Sequence, residues 1–215
     1  MLYWNTVSVA LKGALIKLMH AEALKDFRLV GGTALSLQLG HRMSIDIDLF
    51  TDAAYSTIDF NSIEDFLRKE FKYAQGDFDT PAGIGKSYSA GYDVNSLVKL
   101  DIYYSMDPFF QPVMQVDNIR LATVEEVIAM KVDVIQRGGR KKDFWDIHEL
   151  LNKYTIDEMI NLHRQRYEWT HNRELIIRNF TDFNLADDDF DPICLKNKEW
   201  TFIKEDICET ANRIP

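Results

Sequence analysis

The chain has 215 residues, of which 46% are hydrophobic, 12% aromatic and 27% charged, with 10 glycines and 5 prolines. That balance sits near the globular average and excludes disorder, collagen-like repeats and low complexity as the main account, while the length suits one large domain or a compact core with an appended helical part. A net charge of -9 argues against coating nucleic acid by charge alone and leaves room for a local basic cleft.

The opening segment, MLYWNTVSVALKGALIKLMH, is cut by Lys12 and Lys17 and so does not read as a signal peptide. Nor does the chain hold a run of about eighteen uncharged apolar residues, so no membrane span is expected. Cys194 and Cys208 form neither a zinc cluster nor a disulfide framework, and a cytoplasmic location is the natural expectation.

In chain order, Thr6 to Leu24 has the spacing of an amphipathic helix, with Leu11, Leu15, Leu18 and Met19 on one face. Phe27 to Val30 is a short apolar strand stopping at Gly31-Gly32, and Thr33 to Leu39 makes two helical turns closed by Gly40. Ile45 to Phe50, IDIDLF, alternates as a strand with one polar face, and Asn61 to Phe71 is helical. Strands and turns follow from Tyr73 to Tyr104, including Lys86 to Ala90 and Leu97 to Tyr104. After Arg120 the texture is helical: Thr123 with Glu126, and Thr155 with Glu158, are capping-box signatures. The change near residues 108–122 marks the expected boundary between an α/β front half and a helical back half.

Within Leu29 to Phe50 a strand, a double glycine, a short helix and a second strand bearing Asp46 and Asp48 follow one another. Two residues apart on a strand, those carboxylates project from one face and can converge on one divalent cation. Oxygen ligands suit magnesium, which commonly takes one or two protein carboxylates plus substrate phosphates; two such ions about 4 Å apart can clamp a phosphoryl transfer. Gly31 and Gly32 let the backbone approach a phosphate, the helix start offers N–H groups, and Thr33 adds a hydroxyl donor. Read singly, a double glycine is a turn and IDIDLF an edge strand with its acids outward, which leaves His41-Arg42 without a role.

The pattern GGT…R.S.DIDLF resembles the nucleotidyltransferase signature of the AbiEii/AbiGii toxin family, a branch of the DNA polymerase beta-like nucleotidyltransferase superfamily. The resemblance implies that Gly31, Gly32 and Thr33, with Arg42 and Ser44 in the connecting turn, hold a nucleoside triphosphate, and that Asp46 and Asp48 hold magnesium. A third carboxylate from a later strand often completes the metal pair in this superfamily. Asp101 fits, because alternation in LVKLDIYY puts it with Lys99 and Tyr103 on the polar face; by pattern alone it is equally an exposed acid on an edge strand.

Downstream, Lys131 is the one cation in a largely apolar helical run, where an isolated lysine commonly snorkels to water. The family carries a lysine on this helix and then a basic turn leading into an (R/K)D..D helix, positions filled here by Lys131, Lys142, Asp143 and Asp146. A lysine offsets triphosphate charge during transfer, and Asp143 can orient that lysine or the acceptor hydroxyl. Asp146 reads instead as a first-turn acid favoured by the helix dipole.

Arg137, Arg140, Lys141 and Lys142 form a local basic patch suited to a nucleotide or an RNA backbone, or else a solvated turn. His163 to Arg173 interleaves arginines with Tyr167 and Trp169, in base-stacking or core roles, and Asp187, Asp188 and Asp189 read as a solvated acidic loop. No zinc-ligand pattern and no activated-nucleophile signature is present among the five histidines and the serines.

The expected fold is therefore mixed α/β: a nucleotidyltransferase-like sheet flanked by helices over residues 1–115, then a helical region over 116–215 that contributes to the cleft. The expected activity is metal-dependent transfer of a nucleoside monophosphate from a nucleoside triphosphate to a hydroxyl acceptor. Asp46, Asp48 and Asp101 serve two magnesium ions, and Lys131 and Asp143 act across the cleft. The resemblance further implies a toxin component of a bacterial toxin-antitoxin or phage-defence system, with a cognate antitoxin and a tRNA 3′ end or other RNA as acceptor. The alternatives are a small-molecule nucleotidyltransferase and a non-catalytic nucleotide-binding or interaction module of the same fold.

Overall fold

A computed structural model describes residues 1–214. The first helix starts later and ends earlier than its periodicity suggests. Ser8 is extended and its hydroxyl accepts from the Leu11 N–H, so α1 runs over Val9–His20, and the extended Ala21 ends it. The flanks of the expected Thr6–Leu24 helix are 3-10 turns at Trp4–Thr6 and Glu22–Leu24. Leu11, Leu15, Leu18 and Met19 are buried, as the spacing requires.

Strand β1 (Arg28–Val30) passes without a loop into α2 (Gly31–Leu39), so the two glycines are the first residues of the helix rather than a turn before it. Gly40 closes α2 in the left-handed region, where glycine has no steric penalty. The chain returns as β2 (Asp46–Thr51), then α3 (Phe60–Glu70), β3 (Tyr73–Gly76), β4 (Gly85–Gly91) and β5 (Val98–Tyr104). Alternation in β5 buries Val98, Leu100, Ile102 and Tyr104 and turns Lys99, Asp101 and Tyr103 the other way.

The region around residues 108–122 holds a hairpin that the sequence reading did not contain, formed by β6 (Met114–Val116) and β7 (Ile119–Leu121). Asp117 and Asn118 both have positive φ, the geometry of a tight two-residue hairpin turn. The seven strands order as β3-β4-β5-β2-β1-β7-β6, with β2 parallel to β5 and β1 parallel to β7. Residues 115 and 116 both lie within β6, at the edge of this sheet.

The remaining elements are helical: α4 (Val124–Gln136), α5 (Lys141–Leu150), α6 (Ile156–Arg166), α7 (Arg173–Phe180), the short α8 (Asn184–Asp187) and α9 (Trp200–Ala211). Thr155 and Glu158 make the full capping box. Thr123 makes only half of one: it accepts from the Glu126 N–H, while the Glu126 carboxylate is drawn to Arg166 and the Gln111 N–H. Buried apolar residues of sheet and helices form one continuous core, with α4 packed against α2, α5, α6 and α7. No helix among the described residues is long and apolar enough to cross a membrane.

Candidate active site

A cleft of about 900 Å³ opens where β2, β5 and the start of α2 face α4 and the start of α5. Its lining includes Gly31, Gly32, Arg42, Ser44, Asp46, Asp48, Asp101, Lys131, Lys142 and Asp143. Strand geometry brings the carboxylates together: Asp46 and Asp48 share a face of β2, and Asp48 pairs in register with Asp101 on parallel β5. Burial, reinforced by the charges of Asp101 and Asp46, pushes the Asp48 carboxyl up to about 6. Asp101 is not idle, because Lys99 Nζ and the Ser87 hydroxyl each lie 2.5 Å from one of its oxygens.

The two glycines are explained by their neighbours. Gly31 has φ +67°, and a Cβ there would stand 2.5 Å from Asp48 Oδ2; one on Gly32 would stand 2.5 Å from Arg42 Nη2. Glycine at both positions thus lets an acid and a guanidinium press against the first turn of α2. That turn has no side-chain cap, so its free N–H groups remain available to an anion. Thr33 is buried and spends its hydroxyl on the Asp46 carbonyl and the Ser44 hydroxyl, tying α2 to β2, rather than pointing it into the cleft.

Gly31→Ala is accordingly expected to lower stability by about 1–3 kcal/mol through its positive φ, and to push the Asp48 carboxylate out of place. Thermal unfolding and divalent-cation titration measure the two parts separately. An alanine variant with unchanged melting and cation affinity would refute this account of the glycine.

Lys131 does not snorkel. It is buried with Nζ 2.6 Å from Asp143 Oδ1 and 2.7 Å from Asp146 Oδ2. Burial alone would lower its pKa, but the two aspartates raise it and keep the ammonium charged. Asp143 also accepts from Arg140 Nε at 2.8 Å, and these cations hold it below the usual carboxylate range against the cost of burial.

Asp146, which the sequence reading treats as a first-turn acid favoured by the dipole, is the centre of the buried network. It accepts from Arg42 Nε at 2.6 Å and Arg42 Nη2 at 2.8 Å, lies 2.7 Å from His41 Nε2, and pairs with Lys131. Arg42, which the resemblance places among the triphosphate-binding residues, turns its guanidinium to Asp146, and the His41-Arg42 pair was the sequence signal for this network.

The basic patch divides. Arg137 pairs with Asp133, Arg140 with Asp143, and Lys141 turns away to the acidic loop, where it meets the Asp187 and Asp189 carbonyls and Asp191 Oδ1. That loop is therefore an anchored strap and not merely a solvated run. Lys142 faces the cleft with no ion-pair partner among the described residues; burial, then Arg140 and Lys131, lower its pKa. In the 163–173 stretch, Arg166 is buried on Glu126 and Tyr167 lines the cleft, while Trp169 is exposed.

The cleft thus sets the carboxylates of a mixed sheet against an uncapped helix start and a buried lysine network. Residues 14–213 match the nucleotidyl transferase AbiEii toxin family of type IV toxin-antitoxin systems, and the chain belongs to that family. It is a nucleotidyltransferase by family. An uncharacterized protein of Aquifex aeolicus is 27% identical over 166 residues, covering 72% of each chain. Among solved structures, the fold is similar to MenT4, a nucleotidyltransferase toxin of Mycobacterium tuberculosis, with a TM-score of 0.60, 14% identity, and coverage of 95% of this chain and 84% of that one. It is also similar to JHP933 of Helicobacter pylori, with a TM-score of 0.55, 18% identity and coverage of 96% and 92%.

Proposed function

We propose that the protein transfers a nucleoside monophosphate from a nucleoside triphosphate to a hydroxyl of an RNA acceptor, a tRNA 3′ end being the first to test. It would act in the cytoplasm as the toxin of a pair with a cognate antitoxin. The observation that carries this reading is the placing of Asp46, Asp48 and Asp101 on one sheet face, against the uncapped start of α2 and across from Lys142.

The residues fit magnesium in the open manner of a substrate-completed site. No group of three His, Cys, Asp or Glu among the described residues gathers into a ready-made metal cage. Two carboxylates of one strand with a third in register beside them suit an ion that keeps water and phosphate ligands. Magnesium held by Asp46 and Asp48 would supply positive charge to the triphosphate oxygens. The free N–H groups of α2 and the Lys142 ammonium hold phosphate. Asp143, fixed by Lys131 and Arg140, keeps the start of α5 in place.

Asp101 takes the proton of the acceptor hydroxyl, for which it must release its contact with Lys99 or Ser87, since each of its oxygens accepts from one of them. The acceptor oxygen then bonds to the α-phosphorus, the bond from that phosphorus to the bridging oxygen breaks, and pyrophosphate leaves.

The test is incubation of the purified protein with each α-labelled nucleoside triphosphate, magnesium and total tRNA, beside an Asp46→Ala/Asp48→Ala control. Label in RNA with the wild type alone is the expected result. Label only in small hydroxyl compounds would replace the acceptor, and nucleotide binding without transfer to any acceptor would replace catalysis with a binding role.

A further inference from the structure

The polar machinery of the cleft leaves its apolar part unused. Ile45, Ile84, Met106, Phe190 and Ile193 are large, exposed, and all line this one cleft. Single exposed apolar residues need no explanation, but several on one concavity mark a binding surface. Phe190 is the extreme case, with 99% of its surface exposed.

Its backbone is nevertheless held at both ends. On one side Lys141 binds the strap through the Asp187 and Asp189 carbonyls and Asp191, the Lys141 N–H donates to Asp189 Oδ2, and Trp200 and Lys204 hold Asp187. On the other the Met43 N–H donates to the Ile193 carbonyl, and the Leu195 N–H to the His41 carbonyl. The strap thus bridges the start of α5, which carries Lys142, and the 41–44 turn, which carries Arg42 and Ser44.

We propose that Phe190 is a stacking platform for the nucleobase of the donor nucleoside triphosphate. The inference rests on the transfer reaction proposed above, since it takes the triphosphate as the ligand of Lys142 and the α2 start. Charge orients the ligand. Asp188 and Asp189 precede Phe190 and repel phosphate, while Asp191 is offset by Lys141, so the polyphosphate tail runs toward Lys142 and Gly31-Gly32 and the flat, uncharged base meets the strap. The same acids disfavour a nucleic-acid strand at this place, because its backbone would carry phosphates past them. An aromatic ring stacks on any base through its π-face and needs no edge contacts.

Calorimetric titration with magnesium present, comparing a nucleoside triphosphate with inorganic tripolyphosphate, isolates the base. Phe190→Ala is expected to weaken nucleoside triphosphate binding about tenfold and leave tripolyphosphate binding within about twofold, with Phe190→Trp restoring the wild-type difference. Equal wild-type affinity for the two ligands would overturn the platform while leaving the phosphate site standing. So would unchanged triphosphate binding by Phe190→Ala with a raised KM for the acceptor, which would assign the ring to the acceptor. Equal loss of both ligands in Phe190→Ala would also overturn it, since the base would then not be what the ring holds. Failure of the wild type to bind either ligand would remove the transfer reading itself and the platform with it.

Discussion

Asp48→Asn is expected to abolish nucleotidyl transfer, by about 1,000-fold or more, and at the same time to make the ligand-free protein more stable. The activity loss corresponds to roughly 4 kcal/mol of transition-state stabilisation, the scale of removing one charge aimed at the reacting phosphate. The stability gain follows from crowding: Asp48 is pressed against Gly31 and beside Asp46 and Asp101. Its folded pKa of about 6 lies above the ordinary 3.8, so the folded state binds the proton more tightly than the unfolded one. Stability from this group is therefore present in acid and is lost as pH rises from about 4 through about 6, by on the order of 2–3 kcal/mol in all.

Above pH 7 the uncharged asparagine avoids that cost, and Asp48→Asn melts several degrees higher than the wild type. Magnesium raises the wild-type melting temperature at pH 8, does so much less at pH 5 where the proton competes, and leaves the variant unmoved. Calorimetric melts between pH 4.5 and 8, with and without magnesium, check all three. A wild-type stability that is flat across that range would show that Asp48 carries no strain from its neighbours.

The carboxylate face was legible because a strand has a period of two: IDIDLF and LVKLDIYY each state which side their acids take, and only the register that pairs Asp48 with Asp101 had to come from the fold. The glycines were legible as a requirement, but not for their reason. A sequence shows that a Cβ is absent, not that Asp48 and Arg42 stand where it would be. The β6–β7 hairpin escaped because each strand has three residues, too few for alternation to register, although Asp117-Asn118 between apolar residues was a turn signal. Lys141 and the acidic strap escaped for a different reason. Their partnership joins residues 46 to 50 positions apart, and neither segment shows by itself that its charges are spoken for.

Asp146 is the strongest case of that kind, and its removal is the largest stability effect expected. Burial alone would raise its pKa, but Arg42 and Lys131 at hydrogen-bond distance hold it well below the ordinary carboxylate range. Replacing it with alanine leaves the Arg42 guanidinium buried with only the Met43 carbonyl, and takes one of two counter-charges from Lys131. His41 also loses its one side-chain partner, while its Nδ1 already has none. Breaking one member of a buried ion network costs about 3–5 kcal/mol, because the remaining charges are uncompensated.

For a chain of this size that is a drop in melting temperature of about 10 °C. Activity falls with it, since Arg42 is packed under Gly32 and Lys131 sets Asp143. A double variant separates charge imbalance from loss of packing: Asp146→Ala with Arg42→Met removes one charge of each sign, and it is expected to be less destabilised than the sum of the two single variants by about 2 kcal/mol. Strict additivity of the two substitutions would mean that Arg42 and Asp146 act independently, and the network would then not be what joins the 41–44 turn to the helix across the cleft.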